Sequence, residues 1–140
     1  MNWKLILLLS MFGLAMGIAT VFVLPTKVEP FFWLAIFLIS AYLIAKQCAT
    51  RLFLHGLLLG LVNSVWVTSA HILFFDRYIF SHAHERFLLD SMVWPGTPQL
   101  AMALMGLGIG VILGLVLGLF ALVAGRLVRG PGLSASGSRA

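Results

Sequence analysis

The chain has 140 residues, 61% of them hydrophobic and only 9% charged, with a net charge of +5 and a mean hydropathy of +1.09. Soluble domains carry about 25% charged residues, so an ordinary globular domain is excluded, and the length allows one compact unit rather than two. The basic residues sit at the ends of apolar runs rather than on one polar face, which points to a lipid bilayer and away from nucleic acid.

The first uncharged run lies between Lys4 and Lys27 and has 22 residues, enough for the roughly 20 that a bilayer core requires. Its start, "MNWKLILLLSMFGLAMG", also resembles a signal peptide. The apolar run continues through Val23 and Leu24 without a polar stop, which favours an uncleaved first helix at about 5–24. The second run, between Glu29 and Lys46, has 16 residues. It has to borrow the uncharged turn Gln47–Thr50, or let Lys46 reach back to the interface, to fill a span at 30–50. The third, between Arg51 and Asp76, has 24 residues and predicts a helix over 52–75. The fourth follows the break Trp94-Pro95-Gly96-Thr97-Pro98 and predicts a helix over 99–125. The expected fold is all-α, with four transmembrane helices in an antiparallel bundle. Residues 1–128 form the transmembrane domain, and the Gly/Ser-rich 129–140 read as a disordered cytoplasmic tail. The six-residue links "PTKVEP" and "KQCATR" make helices 1–2 and 2–3 antiparallel neighbours.

Charge sets the orientation. With the amino terminus inside, Lys4, Lys46, Arg51, Arg126, Arg129 and Arg139 are cytoplasmic, against Lys27, Arg77 and Arg86 outside. Six bases against three place both termini in the cytoplasm. The single Cys48 falls on the same side, excludes an internal disulfide, and fits a reducing compartment.

Glycines recur on one face of the fourth span at Gly106, Gly110, Gly114 and Gly118. Glycine costs roughly 1 kcal/mol relative to alanine in a helix interior in water, so its repetition implies close approach of another backbone, the small-xxx-small device of membrane helices. Shorter versions are Gly13 and Gly17 in the first span and Gly56 and Gly60 in the third. These stripes join helices within one chain or between copies in a homo-oligomer; spacing leaves both open. The third span continues with Asn63, Ser64, Thr68 and His71, the one polar face inside the membrane. A buried amide such as Asn63 has to find a neighbouring helix, water or a substrate.

Between spans three and four, "HILFFDRYIFSHAHERFLLD" holds three of the four histidines. His71, His82, His84 and Asp76 are the conceivable metal ligands, although no spacing matches a known metal motif. The aromatics Phe74, Phe75, Tyr78, Phe80, Phe87 and Trp94 favour ordinary interfacial residues, with a loop or short interfacial helix at the outer face covering the bundle mouth. No catalytic motif is present, and none of the spans carries Asp, Glu, Lys or Arg in its interior, unlike most proton-coupled transporters. The expectation is a non-enzymatic, cofactor-free membrane protein that associates with itself or another membrane protein. The alternatives are a homo-oligomeric channel or transporter subunit and, further behind, an outer-face metal or pH sensor.

The blocks "MNWKLILLLSMFGLAMGIATVF" and "FLHGLLLGLVNSVWVTSAHILFFDRYI" resemble a group of small bacterial inner-membrane proteins. That resemblance implies four helices and a bacterial inner membrane. It implies no active-site residues.

Overall fold

The computed structural model describes residues 1–91 and 97–129, and these are helical throughout apart from turns and short connections. In chain order the elements are α1 (Trp3–Phe22), α2 (Glu29–Gln47), α3 (Leu52–Leu73), the short α4 (Phe75–Ser81) and α5 (Ala83–Ser91), and α6 (Pro98–Arg129). Four of these, α1, α2, α3 and α6, are long and apolar enough to cross a membrane. The expected tail beyond Arg129 and the Trp94–Gly96 part of the expected break lie outside the described residues.

Local signals account for the helix ends. Asn2 caps α1, its Oδ1 accepting the Leu5 N–H at 3.2 Å. Pro30 occupies the first turn of α2, where its missing N–H has no cost. That helix ends at Gln47 and leaves the turn 48–51 to the connection, so the second span does not extend to residue 50. It begins one residue early, at Glu29, and has 19 residues. Lys46 lies 5.9 Å from the centre of the Tyr42 ring, one turn back. Arg51 precedes α3 with φ 56°, the left-handed conformation that a four-residue turn between antiparallel helices demands here. α6 has 32 residues, about 48 Å of helix, and outruns the 27 residues expected at 99–125.

The packing does not follow chain order. α3 sits centrally, held against α6 on one side and α1 on another, and α2 rests mainly on α6. The chain neighbours α1/α2 and α2/α3 touch lightly. Short links do not by themselves bring helices together; backbone approach is decided by small residues, and the matched small stripes lie on α1, α3 and α6.

On the α3/α6 seam the register is regular. Gly56 meets Gly118, Gly60 meets Gly114, Ser64 meets Gly110 and Thr68 meets Gly106, so four steps along α3 match four steps back along α6. A Cβ built on Gly56 would stand 2.7 Å from the Gly118 Cα, and one on Gly114 2.7 Å from the Leu57 carbonyl oxygen. The glycine stripe of α6 is therefore covered by α3 of the same chain. The α1/α3 seam is parallel: Gly13 lies against Asn63 and Gly17 against Val67 and Ala70.

The apolar core fills one half of the bundle, where Leu5, Ile6, Leu9, Ile44, Leu52, Leu117 and Ala121 are buried together. This basic end also holds the amino terminus, the 48–51 turn and Arg129. The guanidinium of Arg129 donates to the carbonyls of Ala49 at 2.7 Å and Cys48, with a longer contact to Ala45 at 3.5 Å. It thereby satisfies carbonyls that the end of α2 leaves unpaired. Arg129→Gln should lower stability by about 1 kcal/mol, the net value of a charge-assisted bond at an exposed site. Thermal unfolding in detergent measures this, and an unchanged midpoint would show that water replaces the guanidinium at no loss.

Candidate functional site

Filling is less complete at the opposite, loop end, where α1 turns into α2 and where α4 and α5 lie. A cavity of about 340 Å³ opens there between α2, α3 and α6, with Tyr78 and His84 contributing from α4 and α5. This volume is within the range of small-molecule sites. On α3 it is lined by Gly60, Asn63, Ser64, Val67, Thr68 and His71, which includes all four residues of the expected polar face. On α6, Met102, Met105, Ile109 and Leu113 form an apolar wall, and α2 adds Glu29, Trp33 and Phe37.

The polar residues of α3 are not one face but two. Ser64 and Thr68 turn to α6: the Ser64 Oγ–H donates to the Gly106 carbonyl at 2.5 Å, and Thr68 packs on the same glycine. Asn63 and His71 turn to α1. The Thr20 hydroxyl donates to the Gly17 carbonyl at 3.1 Å, so its oxygen receives the His71 Nε2–H at 2.9 Å. One turn before His71, Trp66 donates its Nε1–H to Ser10 Oγ at 3.2 Å. The consecutive positions 63 and 64 point about 100° apart, and each helps to hold a different helix. Asn63 is the exception in bonding: it is 3% exposed, and neither its Oδ1 nor its Nδ2 has a hydrogen-bond partner in the protein.

His71 also begins an aromatic stack. Its ring lies 3.8 Å from that of Tyr78, which lies 4.3 Å from that of His82, all nearly parallel. His82 is buried and donates Nδ1–H to the Tyr78 carbonyl at 3.0 Å. A tyrosine ring thus stands between the two imidazoles and prevents them from sharing an ion. His84 is exposed at the cavity, while Asp76 borders a separate depression with Arg86 and Asp90. Among the described residues no three His, Cys, Asp or Glu side chains are grouped to hold a metal. The stack anchors α4: Tyr78 is buried with Val21 and Met102, against Ile72, Phe75 and Ile79. The segment between α3 and α6 thus holds two short helices broken at His82, on which Phe80 and Phe87 are exposed.

His55 is placed far away, at the basic end. The Asn2 N–H can only donate and the Arg51 carbonyl can only accept, so Nε2 receives the first at 3.0 Å and Nδ1–H is given to the second at 2.8 Å. This histidine fastens the start of α1 to the start of α3.

The residues missed in the sequence are Glu29, Trp33 and Tyr78. Glu29 reads there as one more outer charge. A usable signal is the spacing of Glu29, Trp33 and Phe37, four apart on one helical face; the Trp33 Nε1–H donates to Glu29 Oε1 at 3.2 Å. Comparison of the chain with known protein families, with curated proteins and with solved structures gave no match.

Proposed function

We propose that the chain is a multi-pass protein of the bacterial inner membrane, with both termini cytoplasmic, that acts by association rather than by catalysis. Its helices form an antiparallel bundle in which α4 and α5 lie at the outer headgroup layer, anchored by Phe80 and Phe87. The partner is a second copy or another membrane protein. The observation that carries this reading is how the polar groups are used. His55, Ser64, Trp66 and His71 each tie two helices together, which commits these polar groups to holding the bundle. α2 offers the contact surface: it leans mainly on α6, and Phe31, Leu34, Leu38 and Tyr42 are exposed along its length.

A second reading, a subunit of an oligomeric channel or transporter, draws on the cavity between α2, α3 and α6. The two separate on one experiment, cysteine cross-linking from Leu38 in native membranes. A stoichiometric heteromeric or dimeric product without solute flux in reconstituted vesicles supports association. Flux from a closed ring of copies supports the other reading, and no product at all would sink both.

Orientation has its own test. Cys48 is buried, and burial raises its thiol above the usual range, against the lowering pull of the amino terminus and Arg129. It therefore reacts slowly from either side, and the exposed positions Gln47 and Ser81 are better reporters in a Cys48→Ala background. An impermeant maleimide should label S81C in intact cells and Q47C only after permeabilisation. The opposite pattern would reverse the orientation argued from the basic residues.

A further inference from the structure

The loop-end cavity has a chemistry at odds with the chain as a whole. Lysines and arginines outnumber acids nine to four, yet among the described residues no lysine or arginine lines it, and its one carboxylate is Glu29. Among the described residues Glu29 has no salt-bridge partner; the single ion pair found is Arg86 with Asp90. Its only hydrogen bond is the one received from Trp33, which uses one oxygen. Trp33 and Phe37 give the same cavity two aromatic rings, and ring faces attract cations; the faces of Tyr78 are taken by His71 and His82. The α6 wall is apolar and includes Met102 and Met105, flexible side chains that adapt to an unbranched chain, and it faces the polar Asn63, Ser64 and Thr68 of α3.

We propose that this cavity binds a cationic amphiphile, with an ammonium head at Glu29 and a single apolar tail directed along α6 towards Leu113. Glu29 begins α2, with Trp33 one turn and Phe37 two turns further along the same face, so head and tail meet groups that suit them in that order. The Glu29 charge selects the head, and methionine and isoleucine side chains on α6 take up the tail. The site is independent of which side of the membrane the loop end faces, and of whether the protein acts through a partner.

The test compares three probes with one tail and different heads: dodecyltrimethylammonium, dodecanol and dodecanoate. They are added below their micellar concentrations to the full-length protein in a non-ionic detergent. Native mass spectrometry reads the stoichiometry, and competition against a labelled ammonium probe reads affinity. The expected result is one saturable ammonium per chain, with dodecanoate at least tenfold weaker and dodecanol between them. Glu29→Gln keeps an oxygen for the Trp33 N–H but removes the charge, and should weaken the ammonium probe about tenfold while leaving dodecanol unchanged. Met105→Trp fills the wall and should weaken ammonium and alcohol alike, which keeps the idea testable if the Glu29 variant does not fold. Equal binding of dodecanoate and the ammonium, an undiminished Glu29→Gln affinity, or no saturable binding would each overturn the proposal.

Discussion

Gly60→Ala and Gly108→Ala add the same methyl group to two membrane helices, and are expected to move stability in opposite directions. At Gly60 the new carbon would collide with the Gly114 backbone, Cα first and then nitrogen at 2.7 Å. Backbone cannot rotate away as a side chain can, so α3 and α6 must separate along the whole seam, losing the matched contacts from Gly56 to Thr68. Overpacking of this kind costs about 1–3 kcal/mol and sometimes more, and this site lies at the top of that range. At Gly108 nothing lies within 4 Å of the added carbon. There the change carries only the helix preference for alanine, a gain of up to about 1 kcal/mol by the aqueous scale. Thermal midpoints in one detergent are sufficient to compare the two. Equal shifts, or a stable Gly60 variant, would mean that the α3/α6 seam is not the tight contact described.

Asn63→Leu should stabilise the protein by about 1–3 kcal/mol, against the usual sign for a change in a buried position. The amide has lost its water on folding and receives no protein hydrogen bond in return, a cost of that order for an unpaired buried polar group. Leucine is close in size, removes the unpaired atoms, and faces the same Gly13, whose lack of a side chain already makes the room. The measurement is resistance to denaturant in mixed micelles, with wild type and variant side by side. A destabilised Asn63→Leu would show that the amide is bonded when the protein is solvated.

Much of the architecture was legible in the sequence because charge is so scarce. The uncharged runs placed all four long helices, with boundaries off by at most four residues. Pairing was not legible. The stripes of α3 and α6 announce close approach, but only coordinates show that Gly56, Gly60, Ser64 and Thr68 meet their partners four residues at a time. The division of Asn63 from Ser64 was missed because a sequence face is drawn about 120° wide, whereas two helices packed on α3 resolve it more finely. The break between α4 and α5 carries no glycine or proline; it falls at His82, whose ring is stacked on Tyr78. Tyr78 and His82 are four apart, and His71 is two turns earlier, so the spacing was there without a reason to choose it over an interfacial aromatic belt. Glu29 could not be placed at the cavity without knowing that α2 leans on α6.

The central position of α3 has a consequence for biosynthesis. Ribosomes deliver the helices in chain order, and stable helices inserted singly associate afterwards. α1 can close on α3 as soon as residue 73 has left the translocation site, since that seam needs only Gly13, Gly17 and their neighbours. α2, made earlier, has to wait, because its main neighbour is the last helix to be synthesised. The arrival of α6 then completes two interfaces together, the glycine register with α3 and the apolar contact with α2 that includes the Phe37–Phe120 ring pair at 6.3 Å. Assembly is therefore gated by the carboxyl-terminal helix, and a nascent chain interrupted before Pro98 keeps a docked α1–α3 pair with one glycine face open to lipid and an unattached α2.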